Sequence, residues 1–274
     1  MIDRLIGYRI KRSIGFVADM HIGSPWGMWP EGFTTEQGNV INPSPGQRTI
    51  NGYFEEFCHE CDHYEVDTII SMAEIIDGTN YFEQGASRLT ADKDIQAEAA
   101  KLVLKPLVKE REFYGFLGSP YHDSKNGKIE KHVIECEELG GKCLGVLANT
   151  KLRDTNRILN LAHGVGGSLI YRATKSDREL LFVLAAEAAK KIDFHVDLFV
   201  RAHLHFFGFL DQGINSYLQL PGWSDWIPYK FSLTVYGRQP DIGWVILLVD
   251  TDDNFHIIKK LYPLPQISGS LRTL

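Results

Sequence analysis

The sequence predicts an α/β domain whose strands end in side chains suited to metal binding. Its 274 residues are enough for one large domain with a substantial core, and we expect residues 1–274 to form a single domain. Short stretches rich in β-branched residues alternate with longer stretches of helical periodicity, as strands and helices do in α/β proteins. No internal repeat, low-complexity tract or linker divides the chain.

The first part of the chain is expected to alternate between strands and helices. Residues 22–46 are rich in Gly, Pro, Asn and Thr, so we expect a long loop of the kind that is often functional. A strand or hairpin is expected at 8–19, strands at 66–73, 113–118, 157–162 and 196–202, and helices at 47–65, 90–110 (broken or ending near Pro106) and 176–191. We also expect a β-hairpin at 131–148 around Gly140-Gly141, and later strands at 207–210, 215–220, 231–236, 242–250 and 254–262.

Composition narrows the function classes. The net charge of −6 argues mildly against a non-specific nucleic-acid binder, because such proteins usually present a basic surface. The N-terminus does not read as a secretory signal, and there is no run of about 18 apolar residues that would span a membrane. The four cysteines fit a reduced compartment better than a disulfide scaffold. We therefore expect a cytoplasmic protein with no membrane partner; the sequence predicts no oligomeric state.

A cysteine-rich segment offers a structural alternative. Cys58 and Cys61, together with Cys136 and Cys143, could form a zinc site. However, the later pair is spaced too widely for a typical zinc knuckle. Apolar neighbours at helical spacing instead place Cys58 and Cys61 in a helical core face.

Several expected strands end in a polar side chain that can bind a metal or transfer a proton. These strand ends carry Asp19 and His21, Glu74, Ser119 and His122, His163, and His203 and His205. Ligands cluster at the carboxyl ends of strands in open α/β sheets, so the repetition indicates a single site.

Two of these strand ends carry closely spaced pairs. Asp19 and His21 form Asp-x-His, and His203 and His205 form His-x-His. Side chains two residues apart on a strand point the same way, so each pair can turn into one small volume. Carboxylate and imidazole together suit Mn, Fe, Zn or Ni better than Ca or Mg.

These motifs give the chain a resemblance to the calcineurin-like metallophosphoesterases. That family has five blocks: Asp-x-His, Gly-Asp, Gly-Asn-His, a lone His, and Gly-His-x-His. The corresponding segments here are Ala18–His21, Ala73–Gly78, Gly118–Asp123, His163–Gly164 and Ala202–His205. Their order fits from about residue 13 to 264. The third block and the later Pro221–Trp223 and Asp241–Gly243 resemble a prokaryotic and phage branch with Gly-Ser/Thr-Pro-Tyr-His.

The resemblance implies a four-layer α/β sandwich, in which two mixed β-sheets pack face to face with helices outside. It also implies two divalent metal ions, with Mn preferred and Fe, Zn or Ni as alternatives. Asp19, His21 and His205 would bind one ion, His163 and His203 the other, and Glu74 would bridge them.

Two blocks depart from the family pattern. Glu74 stands where the family has a bridging Asp, and Asp77 is a second candidate carboxylate. Ser119 stands where the family has an Asn ligand, and His122 falls two residues late. His122 is thus either the general acid or a replacement ligand.

The implied activity is hydrolysis of a phosphoester, more specifically a phosphodiester of a nucleotide or nucleic acid. His122 and Asp77 are the catalytic candidates, and Arg201, Ser119, Trp26 and Trp223 are the substrate-binding candidates. Arg201 could instead be a supporting residue, and the tryptophans core or oligomer contacts. The alternative functions are an inactive binding or scaffold protein on this fold, and an enzyme that uses one metal.

Overall fold

The computed structural model describes residues 7, 9–79, 88–123, 126–164, 173–225 and 240–264. The helices within these residues are α1 (Pro45–His63), α2 (Lys93–Val108), α3 (Lys128–Glu135) and α4 (Ala173–Ala188). The strands are β1 (Ile10–Val17), β2 (Phe33–Thr34), β3 (Val40–Ile41), β4 (Thr68–Ser71), β5 (Glu112–Gly115), β6 (Lys142–Cys143), β7 (Leu147–Lys151), β8 (Ile158–Ala162), β9 (Leu198–Arg201), β10 (Gly208–Asp211), β11 (Ser216–Gln219), β12 (Ile242–Asp250) and β13 (Phe255–Tyr262).

Two mixed sheets contain most of these strands. The first sheet has the order β13-β12-β1-β4-β5-β6; β1, β4, β5 and β6 are parallel, while β12 runs antiparallel to β1 and β13. The second has the order β10-β11-β9-β8-β7, with β8, β9 and β11 parallel. Strands β2 and β3 form a small hairpin inside the long loop.

The two sheets pack face to face through an apolar core. Side chains from the first sheet (Ile14, Phe16, Ile70, Val245 and Leu247) meet side chains from the second (Leu159, Leu161, Leu198, Val200 and Leu218). Helices α1, α2 and α3 cover the outer face of the first sheet, and Leu180 of α4 packs on Phe199 and Tyr217 of the second. The expected four-layer sandwich is therefore confirmed.

Helix α1 shows why the sequence folds this way locally. Ser44 and Gln47 form a reciprocal capping box, in which each side chain accepts a hydrogen bond from the other residue's backbone N–H. Phe54 and Phe57 then bury the inner face of the helix, and Cys58 and Cys61 lie in the same core. All four cysteines are free, so the core interpretation of this segment is confirmed.

The expected hairpin at 131–148 is wrong. Residues 128–135 form α3, and β6 pairs in parallel with β5 instead of folding back as a hairpin. The helix buries Val133 and Ile134, and the Asp123 carboxylate caps it by accepting from the backbone N–H groups of Ile129 and Glu130. That cap lies several residues before the helix, where a local pattern does not reveal it.

Two further predictions concern Pro106 and the strand expected at 231–236. Pro106 lies inside α2, which ends at Val108, rather than ending the helix. The strand expected at 231–236 lies outside the described residues. None of the helices that the structure describes has the length and apolar character needed to cross a membrane.

Candidate metal centre

The predicted ligands come together where strands of both sheets end. Asp19 and His21 follow β1, Glu74 follows β4, His163 follows β8, and His203 and His205 follow β9. Because β1 and β4 are parallel, as are β8 and β9, the ligands of each sheet lie together at the carboxyl ends of its strands. The candidate metal centre is therefore built from the strand ends of both sheets.

The backbone at these strand ends adopts an uncommon conformation. Asp19, His21, Ala73, Glu74, His203 and His205 all have positive φ angles, between 45° and 74°. Such angles are uncommon outside glycine and cluster at functional sites. Hydrogen bonds hold the turns together: Asp19 N donates to Ala73 O at 3.1 Å, and His21 N donates to Glu74 O at 3.0 Å.

One group of ligand atoms consists of Asp19, His21, Glu74 and His205, all buried. His205 Nε2 lies 3.3 Å from Asp19 Oδ1, and His21 Nε2 lies 3.4 Å from Glu74 Oε2. The Nε2 atoms of His21 and His205 are 3.2 Å apart. Two carboxylates and two imidazoles thus face one small volume.

A second group consists of Glu74, His163 and His203. Glu74 Oε1 lies 3.0 Å from His163 Nε2 and 3.7 Å from His203 Nδ1. Glu74 therefore turns one carboxylate oxygen towards each group, which is the arrangement that a bridging ligand requires.

The residues fit a metal on two grounds. Among the residues that the structure describes, the buried Oδ1 atom of Asp19 has no partner with hydrogen-bond geometry, although it lies 3.3 Å from His205 Nε2 and 3.8 Å from His163 Nε2. An unsatisfied buried carboxylate oxygen is costly unless a cation occupies its neighbourhood. Nitrogen and oxygen donors in this mixture suit divalent transition metals.

The pKa shifts of the buried ionisable residues also indicate a site for cations. Burial opposes ionisation of Asp19, but the interactions with His205 and the charge of His163 together outweigh it and lower the pKa of Asp19 to about 2. Burial also opposes protonation of His163, but the Glu74 carboxylate and the charge of Asp19 together outweigh it and raise the pKa of His163 to about 10. The buried carboxylates therefore stabilise positive charge on their neighbours, as a cation site must.

Asp77 and His122 form an adjoining group with His21. Asp77 Oδ1 lies 3.0 Å from His21 Nδ1, while Asp77 also forms an ion pair with Arg88. A carboxylate on the far nitrogen of a metal-binding histidine fixes the ring and its tautomer. His122 Nδ1 lies 2.9 Å from Asp77 O, which leaves His122 Nε2 at 3.7 Å from Glu74 Oε2.

Ser119 contacts the centre through Glu74. Its hydroxyl donates to Glu74 Oε1 at 2.8 Å. A side chain at the neighbouring Gly118 would place its Cβ 2.8 Å from Glu74 Cγ. The third block therefore lies in direct contact with the Glu74 side chain.

Three supporting residues were not among the predicted site residues. Buried Glu130 accepts hydrogen bonds from Ile75 N and Gly118 N, both at 2.9 Å, and burial raises the pKa of Glu130 to about 7. Asp241 N donates to His205 O at 2.7 Å, and Gly222 lies so close that its Cβ would be 2.8 Å from His205 Nδ1. The Pro221–Trp223 and Asp241–Gly243 motifs carried a signal for Gly222 and Asp241, whereas Glu130 lay just before the segment expected as a hairpin and belonged to no recognised motif.

The other substrate-binding candidates lie in supporting positions. Arg201 is buried; its Nε donates to Glu179 Oε1 at 2.9 Å, and its Nη1 donates to Asn160 O at 2.9 Å. Trp223 is fully buried, with its ring on Phe54. Trp26 is half-buried, and its carbonyl accepts from Asp225 N at 3.1 Å.

Comparisons with known proteins give similarity of fold only. No family model matches the chain, and no curated protein matches it. Solved structures to which it is similar include a novel archaeal phosphodiesterase (11% identity, TM-score 0.44, covering 90% of this chain and 99% of that one) and Vps29 from Cryptosporidium parvum (10% identity, TM-score 0.47, covering 92% and 98%). Another is a conserved protein from Streptococcus pneumoniae, described as a predicted phosphoesterase (11% identity, TM-score 0.34, covering 92% and 98%).

Proposed function

We propose that this protein is a metal-dependent hydrolase of phosphoesters, with phosphodiesters as the preferred class. The observation that carries the proposal is the position of Glu74, whose two carboxylate oxygens face two separate groups of ligand atoms. Asp19, His21 and His205 would hold one divalent ion, and His163 and His203 the other. Mn is the preferred ion, and Fe, Zn or Ni are alternatives with the same donor chemistry.

The residues around this centre would have distinct roles in the reaction. When bound, two such cations stabilise charge on the phosphate oxygens and acidify water. Asp77 orients His21 through its Nδ1 atom. His122 is held by the Asp77 carbonyl, so its Nε2 faces the centre and can carry the proton that the leaving oxygen needs. Burial of Asp77, His21 and His122 strengthens these interactions because little water screens them.

The alternative is a binding or scaffold protein that has lost turnover. Glu74 and Ser119 favour it, since both depart from the family pattern that the sequence resembles. The contacts around Glu74 favour the enzyme instead, because Ser119 donates to its carboxylate and so holds it between the two groups of ligand atoms.

Metal content and turnover test the proposal together. Protein equilibrated with Mn should hold two equivalents per chain and hydrolyse bis(4-nitrophenyl) phosphate. The His163→Ala variant should hold fewer equivalents and lose turnover. The His132→Ala variant, which changes an exposed residue of α3, should behave like the wild type.

The Glu74→Asp variant separates the two functions. A site built around glutamate should lose at least about ten-fold in turnover, because the shorter carboxylate leaves Ser119 and one ligand group. A gain in turnover would instead indicate a weakened site and favour the scaffold function. Absence of bound metal in the wild type would contradict the proposed function outright.

A further inference from the structure

A cavity of about 730 Å³ opens beside the candidate metal centre. We call it the side cavity. Ser119, His163 and Gly164 line it on the side of the centre. Ser119 and His163 both contact Glu74 Oε1, so the cavity adjoins the ligand group that includes His203. Its volume lies within the range of pockets that bind small organic molecules.

Much of the remaining lining of the side cavity is apolar. It is formed by Leu117, Pro120, Val146, Leu147 and Phe182. Val146, Leu147 and Phe182 are 66%, 53% and 67% exposed, which is unusual for large apolar side chains. Single exposed apolar residues are normal, but several around one concavity mark a binding surface.

Helix α4 supplies the charged part of the wall. Lys175, Arg178, Glu179 and Phe182 line the cavity from positions three and four apart, so they share one face of the helix. Arg201 also lines the cavity and pairs with Glu179, so the three cationic side chains of the lining outnumber its one carboxylate and the formal charge is positive. The wall thus combines a large apolar surface with cationic groups suited to a phosphate anion.

We propose that the side cavity receives the apolar organic group of a phosphoester whose phosphate lies at the metal centre, so that the substrate is an aryl or alkyl phosphodiester. This rests on the proposed function for the position of the phosphate. The apolar wall favours such a group over a nucleobase, because a base needs partners for its hydrogen-bonding edges. Trp223 is buried in the core, so its ring is not placed to stack on a base.

Two phosphonates test the inference, since their P–C bond resists hydrolysis. Calorimetric titration of the Mn-loaded full chain should show phenylphosphonate binding at least about ten-fold more tightly than methylphosphonate. That preference should fall to about three-fold or less in the Phe182→Ser and Leu147→Ser variants. Leu181→Ser is the matched control, because Leu181 is an exposed apolar residue of α4 that does not line the cavity.

The outcomes separate the two proposals. Equal affinities for both phosphonates in the wild type, a preference that survives in both cavity variants, or no binding of either compound would overturn the inference about the side cavity. Mn-dependent methylphosphonate binding with turnover but no phenyl preference would leave the proposed function standing. A phenyl preference that depends on Phe182 and Leu147, without turnover of bis(4-nitrophenyl) phosphate, would support the cavity and contradict the proposed function.

Discussion

Glu130 shows how one buried side chain can organise a centre it does not enter. Its two carboxylate oxygens accept one hydrogen bond from the backbone after Glu74 and one from the backbone before Ser119. It is 1% exposed. The turns that carry the second and third blocks are thus tied to helix α3.

Replacing Glu130 by Gln should loosen both turns, because the amide group cannot accept from Ile75 N and Gly118 N together. We expect a loss of about 1–3 kcal/mol in the free energy of unfolding, measured by urea denaturation, and weaker Mn binding by calorimetry. Glu137→Gln changes an exposed carboxylate nearby and should alter neither quantity. Unchanged Mn affinity in Glu130→Gln would show that the turns keep their positions without this contact.

Candidate ligands could be identified from the sequence where a short motif follows an expected strand. Four of the six proposed ligands could be named from the sequence because Asp-x-His and His-x-His follow apolar strands, and Glu74 and His163 because they follow other expected strands and match blocks of the family pattern. Their placement in two groups of ligand atoms around Glu74 agrees with the expected division. Glu130 could not be found this way, since its partners are backbone groups some 12 and 55 residues distant in sequence.

At the scale of elements, the turn between β12 and β13 depends on one carboxylate. Asp250 Oδ1 accepts from the backbone N–H groups of Asp252 and Asn254, and its Oδ2 lies 2.8 Å from His256 Nε2. Burial opposes ionisation of Asp250, but His256 and the turn donors outweigh it and lower the pKa of Asp250 to about 2.

The Asp250→Asn variant should lower the free energy of unfolding by about 1–3 kcal/mol at pH 7. A carboxyl whose pKa is lower in the folded state stabilises above its unfolded pKa, and this contribution disappears as the pH falls through the folded value. The difference from the wild type should therefore shrink between about pH 4 and pH 2 in urea denaturation. Asp252→Asn, an exposed change in the same turn, should show no such trend; a difference independent of pH would contradict the argument.

Element types were predictable where apolar periodicity is long or where a strand ends in a ligand. Helix α1 begins and ends within about two residues of its expected bounds, since the buried face repeats over five turns. The hairpin predicted at 131–148 was wrong because two adjacent glycines suggested a turn. The contact that starts α3 comes from Asp123, which lies well outside the local pattern.

For the whole molecule, metal binding should couple to stability. Ligands come from both sheets, so an ion bound there stabilises the folded chain and not the unfolded one. At about 100-fold excess over the dissociation constant, Mn should add about 2.7 kcal/mol, which corresponds to an increase of roughly 5–10 °C in the melting temperature. Differential scanning calorimetry with Mn and with a chelator measures this difference.

The His205→Ala variant should lose most of that increase, and His132→Ala should keep it. An equal increase in all three proteins would place the stabilising ion elsewhere.

The four-layer fold was predicted from the family resemblance, because local patterns identify strands but not which strands are neighbours in a sheet. The order β10-β11-β9-β8-β7 illustrates this, since it depends on contacts between distant segments.

The spread of the ligands along the chain has a consequence for biosynthesis. Asp19 and His21 leave the ribosome long before His203 and His205, because a large part of the domain lies between the two pairs. Neither sheet alone supplies a complete ligand group around Asp19. High-affinity metal uptake therefore cannot guide the early folding of the nascent chain. Such binding would become possible only once both sheets have docked, so metal loading would report that folding is complete.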